Sequence, residues 1–235
     1  MAGPARISKI KMGAKTDTVK KSAAEIVRLL RRHYPDATCS LDFHSPLELL
    51  VATILSAQCT DERVNIVTQG LFCKYRSAAD YAQSSIIDLE KDVHSTGFYR
   101  NKAKSIQNSC HLLVQQYDGQ VPQNIDQLVE LPGIGRKTAN VILGTAFGIA
   151  SGVAVDTHVT RLSHRLGLSQ QKFAEKIEKD LMAVIPNKEW VAFSHRMIQH
   201  GRKICRARKP KCDVCPFSKI CPKVGLKQLQ NLPSL

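Results

Sequence analysis

The sequence predicts an all-α protein. Apolar residues recur at three-to-four-residue steps in one stretch after another, Ser, Thr and Pro open those stretches while Gly and Pro close them, and no segment alternates with period two for long enough to form a strand. Taken in order, Ser22 with Glu25 has the spacing of a capping box, and Ile26, Val27, Leu30 and Tyr34 carry an amphipathic helix that Pro35 stops. Ser45, Pro46 and Glu48 repeat the start signal before Leu49–Gln58, and Thr60 opens a helix that runs to about Tyr75. From Arg100 the positions Ala103, Ile106, Cys110, Leu113 and Tyr117 keep the helical step until Asp118-Gly119 ends it. A short helix over Ile125–Leu131 precedes the break Pro132-Gly133-Ile134-Gly135, and Arg136–Phe147 is helical again. Further helices are expected over Thr157–Leu166, Phe173–Ile185 and Lys188–His200.

Charge narrows the function. The 34 Lys and Arg against 20 Asp and Glu give a formal net charge of +14, which favours a polyanionic partner through counterion release. Nucleic acid is the first candidate. A membrane partner is not expected, because the longest uncharged stretch, Val141–Val155, includes Thr145 and Ser151 and is too short to span a bilayer. Residues 1–21 hold six Lys or Arg against one Asp and have no apolar core of the kind a signal peptide needs, so they are expected to form a flexible basic arm. Eight cysteines without a secretory signal argue for a reducing compartment, and hence for the cytoplasm, rather than for a disulfide framework. Cys39, Cys59, Cys73 and Cys110 are scattered and read as small hydrophobes.

Three constellations carry chemistry. Cys205, Cys212, Cys215 and Cys221 fall within 17 residues of a Lys/Arg-rich loop, a density that closes a metal-binding knot. Zinc and iron–sulfur cores both accept four thiolates, and spacing does not choose between them. The run Leu131-Pro132-Gly133-Ile134-Gly135-Arg136-Lys137 sits between two helices. Gly133 and Gly135 allow a tight turn and close backbone approach, and their amides, with the free N–H groups opening the next helix, can bind a phosphate. This is a helix-hairpin-helix, a sequence-independent DNA anchor, with Arg136 beside it. Lys137 falls in the first turn of that helix, where the helix dipole and Arg136 both disfavour an ammonium and so favour the free amine a Schiff-base nucleophile needs. Gly152–His158 is an apolar run that delivers Asp156 to a helix start, as an N-cap and as a carboxylate able to stabilise a developing oxocarbenium.

Together, Leu131–Val141, Val155-Asp156-Thr157-His158 and the cysteine spacing resemble the endonuclease III family of the helix-hairpin-helix, Gly/Pro-rich, Asp superfamily of DNA glycosylases, over about Ser22–Cys221. The resemblance implies a base-excision glycosylase with AP lyase activity. Lys137 would be the Schiff-base nucleophile, Asp156 the catalytic carboxylate, and the four cysteines the ligands of a 4Fe-4S cluster. It implies two helical lobes: residues 39–150 as a six-helix module containing the helix-hairpin-helix (126–147), and residues 22–38 with 151–235 as a cluster lobe. Gln58, in Leu55–Asp61, matches the glutamine that fills the hole left by an everted nucleotide. Phe98, in Thr96-Gly97-Phe98-Tyr99, matches the wedge that parts the opposite bases, where family members carry an aliphatic residue. His158 would sit near the pocket mouth. The expected partner is double-stranded DNA with a damaged base or abasic site, met by a monomer in the cytoplasm, at the nucleoid if the source is bacterial. The alternatives are a pyrimidine-dimer or mismatch glycosylase of the same superfamily, or a non-catalytic DNA-binding module with a zinc knot.

Overall fold

The computed structural model describes residues 5–226, with side chains described from residue 18 onward. Among the described residues there are eleven α-helices and no strand: α1 Ala5–His33, α2 Pro46–Leu55, α3 Asp61–Lys74, α4 Ala78–Gln83, α5 Ile86–Val93, α6 Tyr99–Gln116, α7 Ile125–Val129, α8 Arg136–Phe147, α9 Thr157–Arg165, α10 Ala174–Val184 and α11 Trp190–Lys203. Short 3-10 turns lie at His94–Thr96 and Asn187–Glu189. No described helix is long and apolar enough to cross a membrane.

The start signals act as their chemistry dictates. Ser45 accepts from the Glu48 N–H with Pro46 in the first turn of α2, and Thr60 accepts from the Arg63 N–H to open α3. Two expectations need correction. The backbone is helical from Ala5, so α1 takes in most of the 1–21 segment read as a basic arm, and residues 1–4 lie outside the described residues. Ser22 is therefore interior to α1 and not its cap; no proline stands between Ala5 and Ser22 to stop a helix. The stretch between Tyr75 and Arg100, assigned no helix from sequence, holds α4 and α5. Helix α4 starts on a full capping box, with Ser77 accepting from the Asp80 N–H and Asp80 accepting from the Ser77 N–H.

The chain divides into two compact units, Cys39–Ser151 and Met1–Thr38 with Gly152–Leu235. The first holds α2 to α8, seven α-helical segments where the family resemblance implies six. Its core is built on fully buried Leu49, Leu50, Leu55, Leu89, Ile106, Leu113 and Leu128. The second packs Ile26, Leu30 and Tyr34 of α1 against Val159 and Leu162 of α9, Ile177 and Leu181 of α10, Phe193 and Met197 of α11, and Phe217. Residues 227–235, counted from sequence with this lobe, lie outside the described residues.

Candidate active site and cysteine cluster

In the Cys39–Ser151 unit the hairpin is a short loop pinned at both sides. The Asn124 side chain accepts from the N–H groups of Asp126 and Gln127 at 2.8 and 3.3 Å, which opens α7. The turn closes through Leu131 N–H to Leu128 O and Ile134 N–H to Leu131 O, while Ser109 donates to Pro132 O at 2.8 Å. Leu128, Leu131 and Ile134 are buried, so the loop's apolar side faces the core and its glycines face out. The two glycines do different things. Gly133 has φ +84° and a Cβ there would stand 3.0 Å from Ser105 Cβ, so the position requires glycine. Gly135 has ordinary extended backbone with nothing within 4 Å of a Cβ, and as N-cap of α8 it offers no side chain to the helix amides. A helix N-terminus with no side-chain cap favours an outside anion such as a phosphate. Arg136 and Lys137 are the first two residues of α8 and both are exposed.

Gln58 and Phe98 lie in the same unit and share an unusual backbone. Gln58 follows the end of α2 with φ +52°, and Phe98 caps α6 with φ +49°, both left-handed at non-glycine residues. Both are exposed, Phe98 at 63%. A left-handed non-glycine residue costs about 1–3 kcal/mol and persists where its surroundings over-determine it, a pattern that clusters at functional sites.

In the other unit, Asp156 is the N-cap of α9. Its carboxylate accepts from the Val159 N–H at 2.7 Å, and it is half-buried behind the buried run Gly152–Val155. One oxygen is thus fixed by a charge-assisted bond. Ala154 N–H donating to Ser194 Oγ at 3.0 Å ties the segment leading into Asp156 to α11. His158 lies two residues on, with Nδ1 3.1 Å from the Arg161 guanidinium. It packs on Gly201 so closely that a Cβ there would stand 2.8 Å from Nδ1. Burial, and then Arg161 and Arg202 against the opposing pull of Asp156, lowers its pKa. The structure places His158 as a packed neighbour of α11.

All four clustered cysteines are half-buried and line one cavity with Leu162, Arg165, His200, Phe217 and Leu226, partly open to solvent. Around them are side chains that sequence inspection did not single out. Arg165, 5% exposed, donates to Cys205 Sγ at 3.3 Å, Arg206 O at 2.8 Å and Ala207 O at 2.7 Å. Arg161, one turn earlier on α9, donates to Cys205 O and Gly201 O. His200 is buried with Nδ1 2.7 Å from Tyr34 Oη and Nε2 3.6 Å from Cys215 Sγ. Burial holds the His200 pKa down at about 4 and pushes Tyr34 up to about 12, so the ring is neutral and the phenol keeps its proton. Tyr34 then donates to Nδ1, and the ring N–H on Nε2 faces the Cys215 sulfur.

These groups fit an iron–sulfur core. Burial and the neighbouring thiols push Cys215 up to about 11 and raise Cys221, so these two stay protonated unless a cation is bound among the sulfurs. The four cysteine sulfurs lining the cavity are the ligand set that an iron–sulfur core takes. Among the described residues no group of three or more His, Cys, Asp or Glu is arranged to hold a single metal ion. Arg202, Lys203, Arg206, Arg208, Lys209 and Lys211 are all exposed around the first two cysteines. Arg161, Arg165 and His200 escaped sequence inspection because their partners around the cysteines are at least 15 residues away, and for Tyr34 with His200 the separation is 166.

Comparison with known proteins agrees with these features. Residues 51–187 match the HhH-GPD superfamily of base excision DNA repair proteins, and residues 205–221 match the iron–sulfur binding domain of endonuclease III. The endonuclease III of Synechocystis sp. is 54% identical over 203 residues, 86% of this chain and 93% of that protein. Two solved structures share the fold at a TM-score of 0.84. One, a non-covalent endonuclease III–DNA complex, is 46% identical and covers 90% of this chain and 99% of its own. The other, a trapped endonuclease III–DNA covalent intermediate, is 45% identical and covers 89% and 98%.

Proposed function

The chain belongs to the endonuclease III family of the HhH-GPD superfamily, and from that membership we propose how its own residues perform base excision and strand nicking on damaged double-stranded DNA. It is a bifunctional DNA glycosylase and AP lyase. Its cysteine segment binds a 4Fe-4S cluster. The reading of the site is carried by one observation: Lys137 stands exposed in the first turn of a helix whose N-cap is a bare glycine. A phosphate held at the N-terminus of α8 brings a deoxyribose to the amine beside it.

In this reading Gly133, Gly135 and Arg136 hold the backbone. Gln58 occupies the gap left by the everted nucleotide and Phe98 parts the opposite bases, which supports extrusion of a poorly stacked oxidised pyrimidine. The Lys137 amine forms a bond to C1′ as the C1′–N bond to the base breaks, and the base leaves with a proton. The sugar ring opens to an imine on Nζ, a C2′ proton is removed, and the 3′ phosphate departs by β-elimination. Asp156 supplies the carboxylate that stabilises positive charge on the sugar, its orientation set by the Val159 N–H. Cys205, Cys212, Cys215 and Cys221 ligate the cluster, which when bound supplies a rigid thiolate-held core for the basic loop. Arg161, Arg165 and His200 orient two of those ligands from α9 and α11. The protein acts as a monomer in the cytoplasm, at the nucleoid in a bacterium.

The test is a panel of duplexes carrying an abasic site, an oxidised pyrimidine, a pyrimidine dimer or a mismatch. Nicking of the abasic duplex with release of the oxidised pyrimidine is expected. An intact abasic strand would reduce the chain to a DNA-binding module, and preference for the dimer or the mismatch would reassign the lesion.

A further inference from the structure

Lys102, in the first turn of α6, lies one helical turn before Ile106 on the buried face of that helix, and it is only 5% exposed. Its ammonium donates to Leu55 O at 2.8 Å and to Thr96 O at 2.8 Å. Leu55 ends α2 three residues before Gln58, and Thr96 ends the 3-10 turn two residues before Phe98. The Lys102 backbone N–H also donates to Phe98 O at 3.1 Å. One buried cation therefore touches both loops from behind. Carbonyls at the end of a helix lack intrahelical donors and carry the negative end of its dipole, so a cation there is well placed.

We propose that Lys102 is a positioning residue that locks the Gln58 loop and the Phe98 loop in one fixed relation, so that both side chains are aimed before a nucleotide leaves the stack. This rests on the insertion roles given above to Gln58 and Phe98. The geometry supplies what those roles lack. Two strained, exposed left-handed residues need surroundings that over-determine them, and each stands two or three residues beyond a carbonyl held by the same ammonium. Burial lowers the Lys102 pKa with no carboxylate offsetting it, which marks a group kept for its two carbonyl bonds rather than for an ion pair.

The experiment uses the full-length holoprotein with Lys102→Met, which keeps the aliphatic stem and removes the donors. Single-turnover release of an oxidised pyrimidine is measured on a fully paired duplex and on the same strand with the opposite nucleotide missing, where no opposing stack has to be parted. Lys102→Met is expected to slow release on the paired duplex on the order of tenfold to a hundredfold, and far less on the gapped one. It should also abolish the fluorescence rise of 2-aminopurine placed opposite the lesion. An equal loss on both duplexes, or no loss on either, overturns the clamp. Should Lys102→Met fail to fold by circular dichroism, Lys102→Arg, which keeps donors but displaces them, is read in the same way. Gln58→Ala and Phe98→Ala run alongside separate the two levels. If they match wild type on the paired duplex, the insertion reading fails; if they lose release selectively while Lys102→Met does not, only the clamp fails.

Discussion

The two units hold their functional groups by opposite means. Between Cys39 and Ser151 the groups assigned to DNA are exposed, and backbone geometry aims them: a glycine at φ +84°, Gln58 at φ +52°, Phe98 at φ +49° and the uncapped start of α8. In the unit formed by the two ends of the chain, the groups assigned to the cluster are half-buried, and long-range side-chain bonds aim them, from Arg161, Arg165, His200 and Tyr34. A surface that meets a large, variable partner is set by turns, whereas a site that encloses a fixed core is set by packed polar side chains. The two kinds of site therefore break in different ways.

The widest gap should come from one substitution made in both units. Cys215→Ala removes a ligand from the cluster cavity, and the purified protein is expected to lose its iron and brown colour with a destabilisation above about 4 kcal/mol. Cys110→Ala, fully buried in the other core, removes only a small hydrophobe and should cost about 1 kcal/mol with iron retained. Iron content and urea unfolding read both, and equal losses would erase the distinction.

Asp156→Asn sharpens the comparison at a residue that is both cap and catalyst. Asn caps as well as Asp, so stability should move by less than about 0.5 kcal/mol. Base release should still fall on the order of a hundredfold or more as the charge facing the sugar is lost. Undiminished single-turnover release would leave Asp156 only its bond to Val159. A smaller effect is expected within the hairpin. Gly133→Ala should cost about 1–3 kcal/mol, since it forces a Cβ against Ser105 at positive φ. Gly135→Ala should fold within about 0.5 kcal/mol of wild type and weaken DNA affinity alike on damaged and undamaged duplexes. A stability loss at Gly135 equal to that at Gly133 would contradict the division of labour between the two glycines.

What the sequence disclosed follows the same line. Leu131–Lys137, Asp156 as a helix cap and the four cysteines were legible because each is a local pattern whose physics acts within a few residues. The capping box at Ser77 and Asp80 was also there to read, but the six residues of α4 show too little periodicity to announce a helix. At Ser22 the same local signal misled, because α1 is already under way and no proline ahead of Ser22 stops it. Lys102, Arg165 and His200 resemble ordinary surface or packing residues along the chain. Their roles arise from partners brought together only by folding, such as Leu55 for Lys102, 47 residues earlier.

The central claim is that Lys137, at the exposed start of α8, is the nucleophile. Incubating the protein with an abasic duplex and borohydride should reduce the imine to a stable protein–DNA adduct. Lys137→Gln should yield neither adduct nor nick while still binding the duplex, because the hairpin amides and the basic loop continue to hold the backbone. Trapping and nicking by Lys137→Gln at the wild-type rate would contradict the account.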